Sequence, residues 1–238
     1  MRNDRRIPPL DILARVRLSA SNNPGKPAIE FQDRVVTYGD LAFMVENVTC
    51  ELRSRGLAGV NRVGINLPRS PELIATILSV LEIGAAYVPL PPESPTRRNQ
   101  LIAQLAKTDL IIHANPIIEG ALASRHHLDI ADVAFSPCRS TCEMDIDDNR
   151  PAYIMYTSGS TGEPKGVAVL RRNVSYFLDA INQLLQFPTW DRIISATTFS
   201  FDISILEFFL PLSQNGTVVL ADERQVRSGK ALVQLLDK

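Results

Sequence analysis

Short apolar runs alternate with stretches whose apolar residues recur at helical spacing, and this alternation limits the 238-residue chain to few folds. Four to six apolar residues between turn residues suit a buried strand, and an i, i+3, i+4, i+7 pattern suits a helix with one face on a core. Their alternation implies α/β architecture, with helices flanking sheets. Ala28–Phe31 and Val35–Thr37 read as two short strands. Thr37 then caps a helix, Asp40 completes the cap three residues on, and Leu41, Val45, Val48 and Leu52 form an apolar face that Gly56 ends. Arg62–Leu67 reads as a buried strand. Ser70 caps the next helix, Pro71 fits its first turn, and Leu73, Ile74, Ile77, Leu78 and Leu81 line it as far as Gly84. Ala86–Leu90 is a strand that Pro91, Pro92 and Pro95 prevent from continuing.

Residues 96–107 read as a helix and Leu110–His113 as a strand. Residues 115–150 are less regular, and Pro137 with Glu143, Asp145, Asp147 and Asp148 marks a surface connection. Ala152–Tyr156, Val167–Leu170, Ile193–Thr197 and Thr217–Ala221 read as strands, with helices over 173–186 and from near Asp202. Leu232, Val233, Leu235 and Leu236 belong to a last amphipathic helix.

A net charge of −1, with both signs interspersed, excludes a basic footprint for nucleic acid. No run reaches the roughly 20 apolar residues that span a membrane, and the N-terminus lacks a signal-peptide core, so a cytoplasmic location is expected. Cys50, Cys138 and Cys142 are an odd set with no disulfide framework and no histidine at zinc spacing, so no metal site is expected. His113, His126 and His127 read as surface or loop residues.

Chemistry concentrates in Tyr156-Thr157-Ser158-Gly159-Ser160-Thr161-Gly162-Glu163-Pro164-Lys165-Gly166. Glycines let a backbone approach a ligand, exposed amides and hydroxyls donate to phosphate oxygens, and Lys165 adds a mobile cation. A polyphosphate needs that combination. The segment is not a Walker loop, because Pro164 precedes the lysine and Gly166 follows it. It is not a serine-hydrolase elbow, because G-x-S-x-G is absent from it. A flexible Ser/Gly turn between strands is the alternative reading of the residues alone.

The run Y-T-S-G-S-T-G-x-P-K-G closely resembles the phosphate-binding signature of the adenylate-forming (AMP-binding) enzymes, which include acyl-CoA synthetases, luciferases and the adenylation domains of nonribosomal peptide synthetases. Val36-Thr37-Tyr38-Gly39-Asp40-Leu41 resembles an early motif of the family, with Asp in place of Glu. Gly84-Ala85-Ala86-Tyr87-Val88-Pro89-Leu90 resembles the peptide-synthetase form of its second motif, with Pro91 where Asp is usual. The resemblance implies ATP and Mg²⁺ as cofactors. It assigns Thr157, Ser158, Gly159, Ser160, Thr161, Gly162 and Lys165 to the β- and γ-phosphates.

Phe199-Ser200-Phe201-Asp202-Ile203-Ser204 opens an apolar run that contains Glu207. Read locally, Asp202 is a helix N-cap, Phe201 packs in a core, and Ile203 and Leu206 face a core. In amino-acid-activating members of the family, the matching aspartate pairs with the substrate's α-ammonium. The resemblance therefore implies that role for Asp202, the carboxylate end of the site for Phe201, and the side-chain pocket for Ile203 and Leu206. Two bulky aliphatic residues leave no ion partner and little room, which favours a small or apolar amino acid, glycine among them.

The family's later motifs are expected beyond residue 238. The chain reads as residues 1–238 of a partial large domain, layered sheets with flanking helices, without the C-terminal domain and without a catalytic residue of its own. The leading function is part of an amino-acid adenylating ligase, with a carrier protein and a second polypeptide carrying the missing half as its implied partners. The alternatives are part of an acyl-CoA synthetase-like ligase for carboxylic acids, and a non-catalytic binding module.

Overall fold

The computed structural model describes residues 11–114, 122, 124–133, 147–158, 163–185 and 192–236. Its elements begin with α1 (Ile12–Asn22), β1 (Pro27–Phe31), β2 (Arg34–Thr37), α2 (Tyr38–Ser54), β3 (Arg62–Asn66), α3 (Pro71–Glu82), β4 (Ala86–Pro89), α4 (Thr96–Ala106) and β5 (Leu110–His113). They continue with β6 (His126–Asp129), β7 (Pro151–Ser158), β8 (Pro164–Leu170), α5 (Arg171–Leu185), β9 (Arg192–Ser195), α6 (Ile203–Ser213), β10 (Thr217–Leu220), α7 (Glu223–Arg227) and α8 (Gly229–Leu236).

Local chemistry sets the helix starts. Thr37 Oγ1 accepts from the Asp40 amide at 3.1 Å, and the Asp40 carboxylate accepts from the Thr37 amide at 3.0 Å and the Thr37 hydroxyl at 2.7 Å. This reciprocal cap satisfies amides that the first turn leaves orphaned. Those hydrogen bonds hold the Asp40 carboxyl below its ordinary range. Ser70 caps α3 by accepting from the Leu73 amide at 3.2 Å, with Pro71 at the first position. Gly56 and Gly84, at φ +71° and +77°, take the left-handed backbone that follows α2 and α3.

Among the described residues the strands form two sheets. One has the order β2-β1-β10-β9, the other β6-β5-β3-β4-β7-β8. Neighbours are parallel except β1 with β2 and β7 with β8. Helix α3 packs on α1, α2, β3 and β4 and is buried nearly all round, so even Thr76 and Ser79 are fully covered. Ser79 therefore turns its hydroxyl to the Ala75 carbonyl at 2.8 Å and the Val45 carbonyl at 3.0 Å. In the larger sheet, Gly64 faces the Leu90 side chain so closely that a Cβ there would lie 2.7 Å from Leu90 Cδ1.

Several expectations are corrected. His113 is fully buried rather than on the surface, because β6 pairs along β5 and covers it, with the His113 and His127 rings 5.7 Å apart. Cys50 is disulfide-bonded, against the expectation of no disulfide. Cys138 and Cys142 lie outside the described residues, as do Pro137, Glu143 and Asp145. The strand expected from Val167 begins at Pro164, because its pairing with β7 extends to Ser158↔Pro164. The strand expected to reach Thr197 ends at Ser195, where buried polar contacts take over the backbone.

Candidate functional site

The phosphate-type segment is a hairpin. In β7, Tyr153 and Met155 are buried while Thr157 is exposed. In β8, Lys165 is exposed and stands directly across the ladder from Thr157. Gly166 lies against the Tyr156 ring: a Cβ there would sit 2.8 Å from Tyr156 Cζ and 3.1 Å from Tyr156 Cε1, so the ring would have to shift to admit one. Ser158 pairs through its backbone with Pro164, and Gly159, Ser160, Thr161 and Gly162 lie outside the described residues. Thr157 and Lys165 thus present one hydroxyl and one cation together at the base of the segment. That fits an anionic ligand lying over the hairpin.

The second component is the connection from β9 to α6. Phe199 anchors it at 2% exposure, whereas Phe201 is 63% exposed. The core reading of Phe201 is therefore corrected, since the chain leaves this residue exposed two positions before the helix. Asp202 occupies the N-cap position at φ −63° and ψ −26°, but its side chain makes no capping hydrogen bond. At those angles the residue is already helical, so the carboxylate does not reach the orphan amides as an extended cap would. The Ser204 amide instead donates to the Phe201 carbonyl at 3.1 Å and the Ile205 amide to the Asp202 carbonyl at 3.0 Å.

Thr157, Phe201 and Asp202 share a cavity of about 270 Å³ with Arg98, Tyr153, Met155, Tyr156, Val167, Val169 and Ser200. Burial, with the Asp202 charge beside it, pushes the Tyr153 hydroxyl up to about 12. Tyr153 therefore stays a neutral donor at physiological pH. Ile203 is 56% exposed and Leu206 packs on the main core, and neither lines this cavity. Among the described residues no three His, Cys, Asp or Glu side chains gather as a metal site.

A family profile described as AMP-binding enzyme matches residues 16–238. The chain belongs to the AMP-binding enzyme family. This AMP-binding chain is 34% identical over 226 residues to a dimodular nonribosomal peptide synthase of Bacillus subtilis (strain 168), covering 90% of the chain and 9% of that protein. It is 31% identical to bacitracin synthase 3 of Bacillus licheniformis over 91% of the chain and 4% of that protein. The chain spans less than a tenth of the length of either of these synthetases. A crystal structure of a four-domain nonribosomal peptide synthetase, holo-AB3403, bound to AMP and glycine superposes with a TM-score of 0.82 at 31% identity, over 96% of this chain and 17% of that one. The N-terminal subdomain of Klebsiella oxytoca NpsA shares the fold, with a TM-score of 0.83 at 23% identity over 96% of this chain and 60% of that one.

Arg98, Tyr153, Met155, Val167, Val169 and Ser200 were not singled out from the sequence. A partial signal existed for the strands: Tyr153, Met155 and Thr157 alternate along β7, as Val167 and Val169 do along β8, so each set shares a sheet face. Arg98 and Ser200 carry no such signal.

Proposed function

We propose that this AMP-binding chain supplies the phosphate cradle and the amino-group wall of an ATP-dependent amino-acid adenylating ligase. The reaction joins an amino acid and ATP into aminoacyl-AMP with release of pyrophosphate. A substrate carboxylate oxygen bonds to the α-phosphorus as the bond to pyrophosphate breaks. One observation carries the reading: Asp202, whose carboxylate is unspent on its own helix, lines one cavity with Thr157 of the hairpin.

In this reading Asp202 pairs with the α-ammonium and Phe201 lines the carboxylate end. Thr157, Ser158, Gly159, Ser160, Thr161, Gly162 and Lys165 hold the β- and γ-phosphates, so that the departing charge is met by fixed donors. Mg²⁺, when bound, would neutralise phosphate charge beside the hairpin. The family resemblance assigns Ile203 and Leu206, which lie outside the cavity that Asp202 lines, to the substrate side chain, and on that assignment they favour a small or apolar amino acid. The holo-AB3403 structure bound to AMP and glycine supports glycine as a candidate. A carrier protein accepts the product, and a second polypeptide or further sequence supplies the remaining contacts. Neither nucleic acid nor membrane is a partner, and the cytoplasm is the proposed location. Among the described residues no helix is long and apolar enough to cross a membrane.

The test is Asp202→Asn in the active polypeptide that contains this chain. A charged hydrogen bond contributes about 1.5–3 kcal/mol, so the amino-acid KM should rise at least about tenfold with the ATP KM nearly constant. An unchanged amino-acid KM would remove Asp202 from substrate recognition.

A further inference from the structure

Asp202 is held from behind by two ionic side chains that do not line its cavity. Glu207, in the second turn of α6, reaches back to the end of β9. Its Oε2 accepts from the Ser195 hydroxyl at 3.0 Å and from the Ala196 and Thr197 amides at 3.1 and 3.0 Å. Its Oε1 accepts from the Thr197 hydroxyl at 2.5 Å. Arg69, just after β3 and 8% exposed, grips the same turn from the other sheet. Its guanidinium donates to the Ala221 carbonyl at 2.7 Å, the Thr197 carbonyl at 2.6 Å and the Ser195 carbonyl at 2.7 Å, and to the Ser195 hydroxyl at 3.2 Å.

Together they engage two amides and two carbonyls of residues 195–197. The ends of β3, β9 and β10, drawn from both sheets, meet at this point. Burial makes Arg69 easier to deprotonate, and the charge of Glu207 is the largest influence opposing it. From this fixed turn the chain reaches Asp202 in five residues, tied on the way by the Phe199 anchor and by the Phe201 amide on the Thr198 carbonyl at 3.0 Å. On the other side, Glu207 lies in α6 five residues after Asp202, the N-cap of that helix. The Asp202 carboxylate is thus located from both directions by bonds in which it takes no part. A side chain that must meet an ammonium at hydrogen-bond distance needs that location, because a shift of about 1 Å in a positioned group can cost about a hundredfold in rate.

We propose that Glu207 and Arg69 form a positioning pair that sets the Asp202 carboxylate for the substrate's amino group; this rests on the reading of Asp202 given above. Neither member of the pair lines the cavity that Asp202 shares with Thr157. Loss of the pair acts on amino-acid capture and on the preference for an amine-bearing acid over its des-amino analogue.

The experiment compares Glu207→Ala, Glu207→Gln, Arg69→Lys and Asp202→Asn in the active polypeptide that contains this chain. It measures KM for the amino acid and for ATP, the amino-acid to des-amino-acid ratio of kcat/KM, and Tm. Glu207→Ala should raise the amino-acid KM about tenfold to a hundredfold, with the ATP KM within about threefold, and should erode the amine preference as Asp202→Asn does. Glu207→Gln keeps an amide acceptor and should recover most of the loss. Arg69→Lys keeps the charge without the fork that grips three carbonyls, and gives the same pattern in milder form if Glu207→Ala folds poorly. Amino-acid and ATP KM rising together as Tm falls would make the pair merely structural and overturn the proposal. A raised amino-acid KM in Asp202→Asn but not in Glu207→Ala or Arg69→Lys would overturn the pair alone. An unchanged KM in Asp202→Asn would overturn the reading of Asp202 beneath it.

Discussion

Gly166→Ala tests whether the hairpin's geometry belongs to Tyr156. The new methyl carbon would meet the Tyr156 ring at 2.8 Å from Cζ, against about 3.5–4.0 Å for a relaxed carbon contact. Overpacking of this kind costs about 1–3 kcal/mol when neighbours cannot move. Here the ring borders the cavity and has room to swing, which favours the low end, and Ala in place of Gly in a strand returns about 0.5–1 kcal/mol. The net loss should be at most about 1 kcal/mol, or roughly 2–4 °C in Tm for a chain of this size. The displaced ring enters the cavity, so nucleotide and amino-acid use should fall by more than stability does. A double-mutant cycle with Tyr156→Ala isolates the clash: with the ring gone, the alanine should be neutral or stabilising. The reasoning fails if Gly166→Ala costs the same in the Tyr156→Ala background, or if it leaves both Tm and kinetics unchanged.

Lys165→Ala should raise the ATP KM while leaving Tm within about 1–2 °C, because the side chain is exposed at a hairpin end; a large Tm loss with unaltered nucleotide kinetics would assign it to the fold. Thr37→Ala should cost about 1 kcal/mol in urea denaturation by removing the cap of α2, and full retention of stability would contradict the reciprocal bonding seen there. The Asp40 carboxyl titrates lower in the folded protein than in the unfolded chain, so its stabilising effect is present above about pH 4 and is lost as pH falls through the folded value. Asp40→Asn should flatten that acid limb, and an unchanged limb would show that other groups set it.

What was legible in the sequence was written in neighbouring residues. Thr37 with Asp40, Ser70 with Pro71, and Gly56 and Gly84 each act within a turn of their own position, and the structure has the helix starts and stops they imply. The phosphate-type segment stands out by its own residue order, whereas the role of Asp202 comes only from the family resemblance, since read locally it is a helix N-cap. The rest depends on partners distant in the chain. His113 is buried only because β6 pairs with β5 from thirteen or more residues away. β8 starts at Pro164 rather than Val167 only because β7 provides a ladder. Arg69 reads as a charge after a strand, and only the fold brings it to Ser195, Thr197 and Ala221. α1 buries Ile12, Leu13, Val16 and Ser19 at helical spacing, a signal that the sequence reading passed over.

The most direct test of the central claim is pyrophosphate exchange into ATP, run with the active polypeptide containing this chain against the proteinogenic amino acids and their des-amino analogues. The account predicts exchange that depends on an α-amino acid, strongest with a small or apolar one such as glycine, and weak with the matching acid that lacks the amine. Exchange supported only by fatty or aryl acids would contradict it.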